Sequence, residues 1–399
     1  MKSLELFTGA GGLALGTHLA GFEHVALLEW DHDACETLRR NARARSVRGI
    51  NKWNIHEGDI RLFDFESVGG VELVAGGVPC QPFSIGGKHG GMNDGRDMFP
   101  EFVRAIRTLQ PRAFIVENVK GLLRESFADY FSYILKQLRG PEISRKKGES
   151  WQEHSRRLDT VPKDQLKGLR YNVSHRLLNA ADFGVPQTRQ RVFIVGFRSD
   201  VGPGWEFPRP THSESVLRWQ QFGSGSYWKK HSVSPPRETL SQLSMDLAEP
   251  PLGIKGWRTV RDAIADLPVP TEKDEDGSIA NHWLNPGARS YVGHTGSYID
   301  WPAKTLKAGV HGVPGGENMI AFRDGSVRYF SVREAARMQT FPDRWLFEGA
   351  WSEAMRQLGN AVPVELAATV AKSVAQHLSV RDKQKASSRV IHASQTLSA

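Results

Sequence analysis

The sequence predicts a doubly wound α/β domain joined to a smaller, loop-rich lobe, and three observations carry that expectation. Short apolar runs alternate with helix-period segments through roughly the first 200 residues. Between about Gly202 and Gly325 the alternation gives way to prolines, glycines, scattered tryptophans and a mixed-charge run at Glu272–Asp276. Helical periodicity then returns at Val332–Gln339 and Val364–Leu378.

The elements follow in order. Strand Leu4–Phe7 precedes helix Leu13–Ala20, and Val25–Leu28 precedes Ala34–Asn41. Glu72–Ala75 precedes Met98–Leu109, and Ala113–Val116 precedes Phe127–Leu138. Val173–Leu178 and Arg191–Phe197 complete the sheet, and the helix from Val364 is long enough to dock back on the first domain. The last residues read as a polar, frayed tail. These patterns divide the chain at 1–198, 199–328, 329–380 and 381–399.

Bulk properties narrow the function. A 399-residue chain with 39% hydrophobic and 24% charged residues has ample core for a large domain and a lobe. No apolar run approaches the ~20 residues of a spanning helix, and structure begins too early for a signal peptide, so a cytoplasmic protein without membrane contact is expected. The two cysteines exclude a disulfide framework and a four-thiolate zinc site, and no metal is expected. Cys35 falls on an amphipathic helix and reads as a buried structural thiol. Cys80 stands among prolines and glycines, where a core cysteine is out of place. The net charge of +8 is concentrated at 136–176, with 11 basic and 5 acidic residues, and in the tail. That stretch fits a polyanion partner and fits a solvated insertion equally well.

Four constellations carry chemistry. In Phe7-Thr8-Gly9-Ala10-Gly11-Gly12 a strand runs into glycines and then a helix, a turn that lets backbone amides approach a ligand. Glu29 and Trp30 close the next strand, about 20 residues on, where an acid suits adenosine ribose hydroxyls; Asp59 and Ile60 follow near the third strand's end. Pro79-Cys80-Gln81-Pro82-Phe83-Ser84 lies at the carboxyl end of a strand, and glycines at 86, 87, 90, 91 and 95 lead on to Arg96. This glycine-rich stretch reads as a loop that closes over substrate, or as a plain flexible connection. Glu117 ends the buried run Phe114–Val116, where desolvation raises a carboxyl pKa and suits it to donate a proton. Arg189 and Arg191 stand two apart before a strand, so both guanidinium groups are expected on one face.

Taken in order, Phe7-x-Gly9-x-Gly11-Gly12, Pro79-Cys80-Gln81, Glu117-Asn118-Val119 and Gln187-x-Arg189-x-Arg191 resemble the motifs of the DNA cytosine C5-methyltransferases. Arg333–Pro342 and Gln357–Pro363 agree with two further blocks, while 136–170 and 200–325 match none. The resemblance implies a Rossmann-like methyltransferase domain, S-adenosylmethionine as cofactor and double-stranded DNA as substrate. It makes Cys80 the nucleophile at cytosine C6 and Glu117 the donor at N3. It places Arg191 on the base, with Arg189 beside it. It maps Phe7, Gly9, Gly11, Gly12, Glu29, Trp30, Asp59, Ile60, Pro79, Asn360 and Val362 onto the cofactor. Gln81, Ser84 and Arg96 then face DNA, and 199–328 becomes the target-recognition domain, with Gly315 and Gly316 in its groove loop. Tryptophans 205, 219, 228, 257, 283 and 301 are more often core than stacking platforms in so small a lobe. A monomer paired with a restriction endonuclease is the expected setting. The rival readings are an RNA or tRNA cytosine methyltransferase on the same motifs, a nicotinamide or flavin oxidoreductase using the glycine turn, and a DNA-binding module without catalysis.

Overall fold

The computed structural model describes residues 1–79, 97–160, 168–236, 252–272, 279–308 and 318–396; beyond residue 382 only the side chain of Gln384 is described. The chain runs β1 (Lys2–Leu6), α1 (Gly12–Leu19), β2 (Glu23–Glu29), α2 (His32–Ala44), β3 (Ile55–Glu57), β4 (Leu73–Gly77), α3 (Phe99–Leu109), β5 (Ala113–Val119), α4 (Ala128–Arg139), α5 (Trp151–Thr160), β6 (Tyr171–Asn179) and β7 (Gln190–Arg198). These strands form one sheet in the order β3-β2-β1-β4-β5-β7-β6. All are parallel to one another except β7, which runs antiparallel to both of its neighbours. The order reverses between β1 and β4, so the carboxyl ends of those two strands border the crevice where open α/β sheets place ligands.

Both faces of the sheet are buried, which is why its strands read as near-continuous apolar runs. Leu4, Leu6, Val74, Phe114 and Ile194 pack with Phe102 of α3 and Ile134 of α4 on one face. Alternate residues Leu73, Ala75, Ile115 and Val195 face Leu13 of α1 and Leu366, Val370 and Val374 on the other. Those last three belong to the final helix, which crosses the sheet against α1. The crossing is close: a Cβ on Gly16 would stand 2.4 Å from the Cβ of Ala367.

The second lobe contains β8 (His212–Ser213), α6 (Glu214–Arg218), α7 (Ser226–Lys230), β9 (Lys255–Gly256), α8 (Val260–Ile264), β10 (Ser297–Tyr298), β11 (Met319–Ala321) and β12 (Val327–Tyr329). Its strands make a two-stranded and a three-stranded sheet. Leu217, Tyr227 and Trp228 form a small core against Trp257 and Trp301, so these tryptophans serve packing. Buried Asp300 is held by Arg261 and Arg323, each at 2.6 Å, and accepts a bond from the Tyr227 hydroxyl. The chain then returns to the large sheet through α9 (Val332–Met338), α10 (Trp351–Asn360) and α11 (Val364–Thr396).

Two features differ from the sequence expectation. α11 continues past Leu378 to Thr396, because no glycine or proline interrupts it; Asp382 on it accepts both arms of Arg112, at 3.0 and 2.6 Å. The basic insertion contains a helix of its own, α5. Among the described residues no helix is long and apolar enough to cross a membrane.

Candidate active site

The turn after β1 is built from unusual backbone. Phe7, Gly9 and Gly11 have φ of 56°, 56° and 92°, so a bulky residue and two glycines share the left-handed region that most side chains avoid. The fixing comes from β2: the amide and hydroxyl of Thr8 both donate to the Leu28 carbonyl at 3.1 Å. The buried Glu29 carboxylate accepts the Gly9 amide at 2.7 Å on one oxygen and the Trp30 and Asp31 amides at 3.0 and 2.9 Å on the other. Burial pushes its pKa up and the three amides oppose that. The oxygen that accepts only the Gly9 amide keeps a lone-pair direction for a ligand hydroxyl.

Around this hub the remaining expected cofactor residues are gathered. Trp30 is 70% exposed at the end of β2. The Gly58 amide bonds the Glu29 carbonyl at 2.9 Å and so brings Asp59 beside it. Arg61 clasps the Asp59 carboxylate and holds its pKa below the ordinary range, while Ile60 is buried beneath. A Cβ on Gly9 would meet nothing within 4 Å, and α1 has no side-chain cap, so open space adjoins free helix amides. This combination of an exposed indole, acceptor carboxylates and open amides fits an adenosine-containing cofactor.

The second part of the site lies one strand over. Gly77 at the end of β4 is in register with Glu117 on β5, whose Oε2 would be 3.4 Å from a Cβ at 77. Asn118 donates to the Val78 carbonyl at 3.2 Å and fastens the segment that ends in half-buried Pro79. Cys80, Gln81, Ser84 and Arg96, with Gly315 and Gly316, lie outside the described residues. Glu117 is buried, and burial pushes its pKa up against the pull first of Arg191 and then of Arg189. Arg191 on β7 points its Nε at Glu117 Oε1, 2.9 Å away.

The sequence model of the C-5 cytosine-specific DNA methylase family matches residues 1–141 and 151–376. The chain belongs to this family. It is 33% identical to the type II methyltransferase M.NgoMIV of Neisseria gonorrhoeae over 94% of this chain and 97% of that one. It is equally identical to M.Eco47II of Escherichia coli, over 96% of this chain and 80% of the relative. Among solved structures, S. pombe Dnmt2 methyltransferase superposes with a TM-score of 0.54 at 17% identity, covering 95% of this chain and 98% of the other, which supports the fold. The protein is a DNA cytosine C5-methyltransferase, and its large sheet is a Rossmann-like methyltransferase domain.

Within this methylase the two arginines do different things. Arg189 is fully buried and donates to the carbonyls of Leu306 at 3.0 Å and Gly359 at 2.6 Å. Both guanidinium groups act on Glu117, but only Arg191 reaches it with an ion pair. The bonds of Arg189 position backbone. Gly12 also has a packing role, since a Cβ there would lie 2.2 Å from the Val362 carbonyl oxygen. Asn360 is exposed at the end of α10, and Val362 is buried against α1.

Sequence reasoning gave no role to two buried amides that hold the methylase motifs together. Gln187 donates to the Met338 carbonyl at 3.1 Å and accepts the Leu306 amide at 3.1 Å. Gln339 donates to the carbonyls of Leu358 and Ala361. Both sit in the quoted motifs, yet a glutamine's burial leaves no periodic signal. Cys35 is buried as expected, with its thiol pushed up to about 12 by burial.

Proposed function

We propose that this enzyme methylates C5 of a cytosine swung out of duplex DNA, through a transient bond between Cys80 and the base. The observation that carries the reading is the buried Glu117, paired with Arg191 and in register with the strand end that leads through Pro79 to Cys80. Cytosine C5 is a poor nucleophile until C6 is attacked. The Cys80 thiolate supplies the electron pair for the new S–C6 bond while Glu117, whose pKa burial raises, gives its proton to N3. The resulting enamine makes C5 nucleophilic. S-adenosylmethionine, when bound, supplies the electrophilic methyl group. Solvent then takes the C5 proton, whose electron pair closes C5=C6 as the S–C6 bond breaks and Cys80 leaves as thiolate, and N3 returns its proton to Glu117, which restores the aromatic ring. Arg191 holds the base at O2 by charge-assisted bonds. Phe7, Gly9, Gly11, Glu29, Trp30, Asp59, Ile60, Asn360 and Val362 would hold the cofactor.

The reacting carbons are covered in a stacked duplex, so the base must leave the helix at a cost of a few kcal/mol. Residues 199–328 act as the target-recognition domain, with Gly315 and Gly316 in a loop at the groove and Gln81, Ser84 and Arg96 on the DNA side of the site. The relatives' designation as type II methyltransferases supports a restriction-modification setting. There a monomer acts on DNA in a bacterial cytoplasm alongside an endonuclease of matching specificity. The test offers a random-sequence duplex and a transcript of equal sequence with labelled methyl donor, followed by bisulfite mapping. Methylated cytosines in one fixed duplex context support the reading, and label on the transcript alone overturns it in favour of an RNA substrate.

A further inference from the structure

The basic insertion has a built surface that the active site does not use. α5 runs alongside α4: Trp151 packs on Tyr130 and Tyr133 with ring centroids 5.7 and 5.6 Å apart, and Lys136 bonds Asp159 at 2.6 Å. His154 is locked between the Tyr133 hydroxyl and the Ile143 carbonyl, both at 2.8 Å, so the insertion is pinned in place. Three of its acids are occupied internally. Glu149 takes Arg157 at 2.7 Å, Glu153 caps Ser150, and Asp159 takes Lys136. On the turn and α5, Arg145, Lys146, Lys147 and Arg156 are exposed and form no ion pair among the described residues.

The position of this surface gives it a use. Tyr130, under Trp151, donates its hydroxyl to Asp97. Asp97 in turn caps the start of α3, the helix that follows β4 and its carboxyl-end site. Trp151, which follows the turn at 145–148 and opens α5, therefore sits at the Asp97 end of α3 and α4, so the turn leads onto the carboxyl-end side of the sheet, the side of the proposed site. The family match stops at 141 and resumes at 151, so this turn lies between the two matched segments.

We propose that Arg145, Lys146, Lys147 and Arg156 bind backbone phosphates of the DNA flanking the recognition site, extending the footprint beyond the bases read by the second lobe. This inference rests on the proposed duplex substrate. Each phosphate contact neutralised by a basic side chain releases condensed counterions and adds about 0.9 to the salt slope of binding. The contribution must therefore appear only when the duplex is long enough to reach the insertion.

The test measures Kd against salt for the full chain on duplexes of about one and about three helical turns, both centred on the mapped site. The triple variant Arg145→Gln, Lys146→Gln, Lys147→Gln is compared with wild type. A control, Arg45→Gln, Arg48→Gln, Lys52→Gln, removes equal charge from the opposite, amino-end side of the sheet, where these residues are likewise exposed. On the long duplex the insertion variant is expected to lose about 2 to 3 from the salt slope and at least about ten-fold in affinity near 0.1 M salt. On the short duplex its binding and turnover should match wild type, and the control should match throughout. An unchanged long-duplex slope, or an equal loss in the control, overturns the proposal. Wild-type protein that neither binds nor methylates either duplex defeats the function reading itself, before any variant is compared.

Discussion

Replacing Gly12 with alanine tests whether the glycine turn is a packing device as well as a ligand loop. An ideal Cβ at this position stands 2.2 Å from the Val362 carbonyl oxygen, and 3.2 Å from both the carbonyl carbon and the amide nitrogen of that residue. Since ordinary contacts begin at 3.4 Å, the carbonyl has to retreat by about 1.2 Å. It is not free to do so. The neighbouring Ala361 bonds Gln357 and Gln339, and the Val364 amide bonds the Gln339 carbonyl. Alanine gains up to about 1 kcal/mol in helix propensity over glycine, while overpacking against immobile backbone costs about 1 to 3 kcal/mol or more. We therefore expect net destabilisation of about 2 kcal/mol and a melting temperature lower by several degrees. Calorimetric melting without cofactor is the decisive assay, because a pure ligand-contact glycine would leave that melt unchanged. Gly16→Ala, which meets Ala367 and the Ala368 amide, should fall in the same direction with cofactor affinity kept. A cofactor-free Gly12→Ala melt at or above the wild-type temperature would refute the reasoning.

Glu117→Gln leaves an amide that cannot donate the proton, so single-turnover methylation should fall by about 10²- to 10⁴-fold with DNA binding kept; normal rates would remove Glu117 from the mechanism. Because burial raises the Glu117 pKa, the wild-type rate should decline as pH rises through that raised value, and a pH series should show this limb missing in the glutamine variant. Arg189→Lys reaches at most one of the Leu306 and Gly359 carbonyls, and urea unfolding should show a loss of about 1.5 to 3 kcal/mol; wild-type stability would mean that these bonds hold nothing. Burial lowers the His24 pKa to about 4 between Ser3, Thr17 and the Ala14 carbonyl. The unfolded chain binds that proton first, so stability present above pH ~6.5 should decline by up to about 3 kcal/mol as pH falls toward 4. Urea titrations should find this decline reduced in His24→Asn, and an unaltered slope would place the titration elsewhere.

The sequence conveyed the large domain well because a sheet buried on both faces writes itself as apolar runs. Val74–Ala75 and Ile115–Val116 needed no alternation to be recognised as strands. Glu117 was legible for the same reason, as an acid ending a run that has no solvent to face. The backbone partners of Arg189 were not legible, because Leu306 and Gly359 lie 117 and 170 positions away. The continuation of α11 was missed because polar residues look like a tail whether or not they are helical. The second lobe stayed unread because its order rests on Asp300 with Arg261 and Arg323, residues whose partners are dozens of positions away or set by tertiary contact. Folding, not spacing, also decided which cations of the insertion are paired and which are free.

The account depends most on Cys80 forming a bond to the cytosine ring. A duplex carrying 5-fluorocytosine at the mapped site replaces the C5 proton with a fluorine that cannot leave as F⁺, so after methyl transfer Cys80 cannot be eliminated and the enzyme stays attached. Denaturing electrophoresis with methyl donor present should then show a protein–DNA adduct, and peptide mass mapping should place it on Cys80. Absence of an adduct from an enzyme that methylates the unmodified duplex, or attachment at any other residue, would contradict the account.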